Sequence, residues 1–120
     1  MKDDKVYLIY ICECIERIEH YTEGGTEVFF SDTKTQDAVL RNLHILAEST
    51  QRLSLLLKTS HPEVDWRGIS GLRNVLVHDY LGVNLMRVWE VVDGDLPELK
   101  ANILDIMQEL GLQHTRENHP

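Results

Sequence analysis

The sequence predicts an all-α protein, an antiparallel helical bundle of four to five helices. Three observations predict it. Apolar residues recur at spacings of three and four over several long segments, and residues suited to capping a helix stand in front of them. No stretch alternates apolar and polar residues over strand length, and no β-branched run is bounded by turns. Apolar residues make up 42% of the 120 positions, enough for one domain, residues 1–120, to bury a core without disulfide or metal staples.

The first helix is expected over residues 4–21, where Leu8, Ile11, Ile15 and Ile18 form one stripe that Tyr7, Tyr10 and Cys14 widen. Gly24 and Gly25 end it, and residues 26–32 read as a loop that tucks Phe29 and Phe30 onto the core. Thr33 and Gln36 form a capping box for a long second helix, in which Val39, Leu43, Leu46, Leu53 and Leu57 keep helical spacing to about Lys58. His61-Pro62 breaks the chain, Asp65 caps a third helix from Trp66, and that helix stops near Gly82. Asn84 caps a short fourth helix carrying Leu85, Val88, Trp89 and Val92, which Asp93-Gly94-Asp95 interrupts. Asp95 caps a fifth helix with Pro97 in its first turn, and Leu96, Leu99, Ile103, Ile106 and Leu110 lead to Gly111. Residues 112–120 have no periodicity and are expected to fray. Short connections favour antiparallel neighbours.

Composition excludes several classes of function. The apolar runs are far shorter than the roughly 20 residues that span a bilayer, and no signal-peptide pattern opens the sequence, so a cytoplasmic protein without membrane contact is expected. Cys12 and Cys14 project about 200° apart on a helix and cannot bridge. With no further cysteine and no histidine pair at ligand spacing, they read as small core residues, and neither a metal nor a cofactor is expected. A formal charge of -8 argues against non-specific nucleic-acid binding, so contact with RNA has to be local, and the acid surplus suits a basic protein partner.

The chemistry concentrates in Arg73-Asn74-Val75-Leu76-Val77-His78-Asp79-Tyr80. A guanidinium holds phosphate oxygens, an imidazole moves protons near neutral pH, and a phenol offers a hydroxyl, so phosphodiester chemistry is the first to suspect. On an unbroken helix Arg73 and His78 project about 140° apart, whereas Tyr80 lies about 20° from Arg73. Arg73 and His78 share a ligand only if the helix loosens near His78 or a two-fold partner supplies a second copy. Glu48, beside the apolar stripe of the second helix, is a candidate to need a cation, with Arg73 as its partner or with solvent as its surroundings. Trp66 and Trp89 read as packing anchors, and His20, His44, His61, His114 and His119 as surface residues.

Beyond these residue-level readings, the sequence resembles the HepT-like ribonucleases of the HEPN superfamily. The resemblance runs through Phe29-Phe30-Ser31-Asp32, Gln36-Asp37-Ala38-Val39, Arg41-Asn42-Leu43, Ile45-Leu46-Ala47-Glu48-Ser49, Val64-Asp65-Trp66-Arg67, the Arg73 to Tyr80 stretch with Gly71-Leu72 before it, Val88-Trp89-Glu90-Val91-Val92 and Asp95-Leu96-Pro97-Glu98-Leu99. It implies a HEPN-like bundle that forms a homodimer with two motifs facing one cleft. It further implies a metal-independent endoribonuclease with Arg73 and His78 catalytic, acting on RNA as the toxin of a toxin–antitoxin pair. The antitoxin is a nucleotidyltransferase of the MNT type that silences the toxin by AMP transfer to Tyr80. Ala47 stands where the family often has glycine, a difference that touches helix packing. Asn74 and Asp79 are supporting candidates that orient the imidazole or substrate, or simply satisfy the helix end. The alternative function is a non-catalytic nucleotide- or protein-binding adaptor for the nucleotidyltransferase.

Overall fold

A computed structural model of the chain describes residues 3–77 and 84–112, apart from the side chains of Arg73, Asn74, Val75 and Val77. Every regular element within them is helical, so the fold is all-α as the sequence predicts, with seven α-helices in place of the expected four to five. Helix α1 (Asp4–Tyr21) buries Leu8, Ile11, Ile15 and Ile18 completely. Asp3 caps it, its carboxylate accepting from the Lys5 amide at 3.1 Å. Cys12 and Cys14 are buried free thiols on the same helix, as small core residues should be.

The expected loop at 26–32 is instead helix α2 (Gly25–Ser31). Seven residues cannot hold a helix by local propensity, so tertiary contacts supply the stability. Phe29 is fully buried, its ring centroid 5.2 Å from that of Trp89, and the Gln36 side-chain amide donates to the Phe29 carbonyl at 2.9 Å. Phe30 packs edge-on against Phe29 yet stays partly exposed. Because Gln36 is spent on α2, the capping box does not form. Asp32 caps α3 (Thr33–Gln51), accepting from the Lys34 amide at 3.2 Å and from the Thr35 hydroxyl at 2.7 Å.

Helix α3 stops before Lys58, contrary to expectation. The chain restarts as α4 (Leu55–Ser60) behind Ser54, whose hydroxyl accepts from the Leu57 amide at 3.1 Å. The Asp4 carboxylate takes the Ser54 amide at 2.8 Å and its hydroxyl at 2.6 Å, fixing the break against the start of α1. Leu53 and Leu57 are buried on either side, so the apolar spacing survives while the helix does not.

Helix α5 (Trp66–Val77) is described up to Val77, and the expected continuation to Gly82 lies outside the described residues. Asn84 caps α6 (Leu85–Glu90) by accepting from the Arg87 amide at 3.2 Å, as predicted. Asp93-Gly94-Asp95 does not interrupt the helix. It lies in one wide π-helical turn, residues Val91–Asp95, in which the Leu96 amide reaches back to the Val91 carbonyl, and α7 (Leu96–Glu109) follows directly. Asp95 therefore makes no side-chain cap. Pro97 has no N–H for the ladder, and the wide turn ahead of it absorbs the register change that a proline in a continuous helix demands.

At the end of α7, Gly111 takes φ 73°. Its amide donates to the Gln108 carbonyl and the Leu112 amide to the Met107 carbonyl, a Schellman closure. Leu112, expected to fray, instead packs against the core, while Leu110, expected inside, is 42% exposed. Residues 113–120 lie outside the described residues. In the assembled bundle α3 packs against both α1 and α5, and α7 covers α1. Among the described residues no helix is long and apolar enough to cross a membrane.

Candidate functional site

Helix α5 carries Arg73 and Asn74, the first residues of the Arg73 to Tyr80 stretch. Asp65 caps it, accepting from the Gly68 amide at 2.9 Å. A Cβ at Gly68 would run into the Asp65 carboxylate, so a larger residue there has to push the cap aside. The Trp66 indole N–H is shared between the Lys58 carbonyl at 3.1 Å and the His61 carbonyl at 3.0 Å, which pins the start of α5 to the end of α4. Ile69, Leu72 and Leu76 face the core from α5. Arg73 and Asn74 lie in the final turns of this anchored helix, so their backbone is set by Asp65, Trp66 and the apolar stripe. Their side chains, and His78, Asp79 and Tyr80 entirely, lie outside the described residues.

Glu48 is exposed on α3, so the reading in which burial forces it to seek a cation is corrected. Its carboxylate needs no partner to offset desolvation. It stands four residues from His44 on α3 and four from Arg52, the C-cap of that helix. These three residues form one wall of an open groove of about 880 Å³ between α1 and α3, whose other wall is Tyr7 and Tyr10. The two tyrosine rings are edge-on, with centroids 6.2 Å apart, and Tyr10 is 40% exposed. The sequence reading did not assemble this groove, although the His44, Glu48 and Arg52 spacing was available as a signal.

A second groove, about 470 Å³, separates α5 from α6, the π turn and α7. Its floor is apolar, with Val64, Leu72, Val91 and Leu99 among its lining, and its rim carries five carboxylates, Glu63, Asp65, Glu90, Asp95 and Glu98. Arg87 is the one Lys or Arg among the described residues lining it. Phosphate is repelled there, and cationic groups are drawn in.

Other reactive groups are occupied elsewhere. Burial pushes both thiols, Cys12 and Cys14, up to about 11, which keeps them protonated and poor nucleophiles. His61 is not a plain surface residue. It is half-buried, with Nδ1 3.1 Å from Glu63 and Nε2 3.5 Å from Glu109, tying the loop after α4 to the end of α7. His20 and His44 are exposed, and His114 and His119 lie outside the described residues. Among the described residues no group of three or more His, Cys, Asp and Glu side chains is arranged to hold a metal ion.

The family described as "Ribonuclease HepT-like" matches residues 11–106. A Methanocaldococcus jannaschii protein named "Gamma-glutamylcyclotransferase and putative RNase" is 42% identical over 110 residues, covering 91% of this chain and 50% of its own length. This chain thus spans half of that relative. A Thermococcus cleftensis protein named "Probable ribonuclease HepT" is 41% identical over 101 residues, covering 83% of this chain and 92% of the relative. A "Putative RNase" of Caldanaerobacter subterraneus is 34% identical over 110 residues, covering 91% of this chain and 98% of the relative. No solved structure matches.

Proposed function

The chain belongs to the HepT-like ribonuclease family, and on that premise we propose that it is a metal-independent endoribonuclease whose chemistry is carried by Arg73 and His78. The observation that carries the reading is the Arg73, His78 and Tyr80 pattern in the sequence, whose Arg73 lies on a helix anchored by Asp65 and Trp66, in a chain whose relatives bear ribonuclease names.

In the proposed reaction the ribose 2′-oxygen forms a bond to the adjacent phosphorus as His78 removes the hydroxyl proton. The bond from phosphorus to the 5′-oxygen breaks, and that oxygen regains a proton. The products are a 2′,3′-cyclic phosphate and a 5′-hydroxyl, and Arg73 stabilises the charge that builds on the phosphoryl oxygens. Asn74 and Asp79 orient the imidazole or the RNA. Because an unbroken helix would turn Arg73 and His78, five positions apart, about 140° from each other, the proposal assigns one group to each subunit of a homodimer with a shared cleft.

The regulatory part of the proposal is a toxin silenced by an MNT-type nucleotidyltransferase. The Tyr80 phenolic oxygen attacks the α-phosphorus of ATP, pyrophosphate leaves, and the attached AMP sets an anion beside Arg73 where RNA phosphate would sit. A guanidinium nearby favours the phenolate that attacks.

The test is RNA cleavage by purified protein in EDTA, compared with His78→Ala and Arg73→Ala. Cleavage by the parent and its loss in both folded variants are expected. A second reading, a non-catalytic adaptor for the nucleotidyltransferase, is favoured by the net charge of -8 and by the carboxylate-rimmed groove, which suits a basic protein surface better than RNA. Absence of cleavage by the parent protein under any condition would select it.

A further inference from the structure

The ribonuclease reading places the chemistry at the end of α5 but does not say where the rest of the RNA lies on an acidic protein. The groove between α1 and α3 has the composition that the question requires. Tyr10 is 40% exposed and is held edge-on by Tyr7, itself 9% exposed, so one ring is fixed and the other presents surface to solvent. A free base stacks on such a ring regardless of its identity, whereas a duplex hides the face that would stack.

The opposite wall supplies the polar groups. His44 and Glu48 on α3 and Arg52, the residue that closes its C-terminus, are all exposed and follow one another at four-residue spacing, roughly 12 Å from first to last. Arg52 offers a fork of donors to a phosphate, and the His44 ring offers a nitrogen beside it. Glu48 is the one carboxylate among the described residues lining the groove, and it accepts from a ribose hydroxyl or a base amino group. Arg52 balances it, in contrast to the five carboxylates against one arginine in the α5–α7 groove. At about 880 Å³ the groove has room for more than one nucleotide, since pockets of about 300–1,000 Å³ hold drug-sized ligands. It also lies on α3, the helix against which α5 packs.

We propose that the α1–α3 groove binds single-stranded RNA flanking the cleaved linkage, with a base stacked on Tyr10 and the backbone held by Arg52 and His44. This rests on the ribonuclease reading above, and it adds a binding surface that the Arg73 and His78 chemistry does not require.

The experiment measures the affinity of a fluorescently labelled single-stranded RNA oligonucleotide, by anisotropy, for the full chain carrying His78→Ala to prevent cleavage. Adding Tyr10→Ala should weaken binding about 10-fold, since one base stack contributes roughly 1–3 kcal/mol, and Tyr10→Phe should restore it. Adding Arg52→Ala should weaken binding severalfold and make the slope of log affinity against log salt shallower by about 0.7. Helicity and self-association are followed for each variant. Binding within two-fold of the parent for both Tyr10→Ala and Arg52→Ala, or no binding by the parent, would overturn the proposal. So would loss of self-association in place of RNA affinity, which would make the groove a contact between copies. Cleavage of the same RNA by the unmodified chain is measured in parallel. No cleavage with the Tyr10 and Arg52 dependence intact removes the ribonuclease reading and keeps the groove, whereas cleavage with indifferent affinities does the reverse.

Discussion

The two grooves of this bundle share a helical framework and differ in almost everything a ligand would sense. One, between α5 and the α6 to α7 arm, has an apolar floor and five carboxylates at its rim. The other, between α1 and α3, pairs tyrosines with a histidine, a glutamate and an arginine. A formal charge of -8 is therefore not spread evenly, and a phosphate-bearing ligand is steered to where the carboxylates are fewest. Under the proposed function catalysis belongs to Arg73 and His78 and binding to the α1–α3 groove, so the two are separable by substitution.

The largest expected effect separates the grooves from the chemistry. His78→Ala or Arg73→Ala should reduce cleavage about 10²–10⁴-fold in a steady-state assay, while changes in either groove act on RNA affinity. Equal losses in kcat from groove and motif substitutions would erase the distinction. The next effect concerns the wall of the acidic groove. Phe29 is fully buried against Trp89 of α6, and Phe29→Ala should lower stability by about 3–5 kcal/mol in urea unfolding. A loss below about 1 kcal/mol would show that α2 does not brace that wall.

A smaller effect tests the charge contrast itself. Arg52→Glu should weaken RNA binding about 10-fold at low salt, whereas Glu98→Lys should strengthen it two- to three-fold, and both effects should shrink as salt rises. The same sign for both substitutions would break the comparison. The smallest effect compares two glycines of α5. A Cβ at Gly71 meets nothing within 4 Å, so Gly71→Ala should stabilise the chain by about 0.5–1 kcal/mol, while Gly68→Ala should destabilise it by forcing the Asp65 cap aside. Thermal melts of both variants check this, and destabilisation by Gly71→Ala would mean that something approaches α5 closely in the acidic groove.

Local signals in the sequence were reliable where the structure depends on local chemistry. The stripe of Leu8, Ile11, Ile15 and Ile18 is buried as spaced, and Asp65 and Asn84 cap the helices they precede. Where a distant contact decides, the sequence was silent. Helix α2 exists because Phe29 meets Trp89, sixty residues on, and α3 ends because the Asp4 carboxylate holds Ser54. The wide turn at residues 91–95 reads as a break because Asp93-Gly94-Asp95 has loop composition, yet the helix passes through it. The candidate site shows the same division. Arg73, His78 and Tyr80 are recognisable as a pattern along the chain. Tyr10 and Arg52, in contrast, become neighbours only when α1 packs on α3.

The central claim is that a guanidinium and an imidazole from two subunits act on one RNA linkage. Mixing Arg73→Ala protein with His78→Ala protein, after subunit exchange, tests it most directly. A mixed dimer that donates the intact Arg73 from one subunit and the intact His78 from the other rebuilds one complete site, so cleavage should return to a substantial fraction of the parent rate. No recovery in fully exchanged mixtures, with the parent protein active beside them, would contradict the shared site.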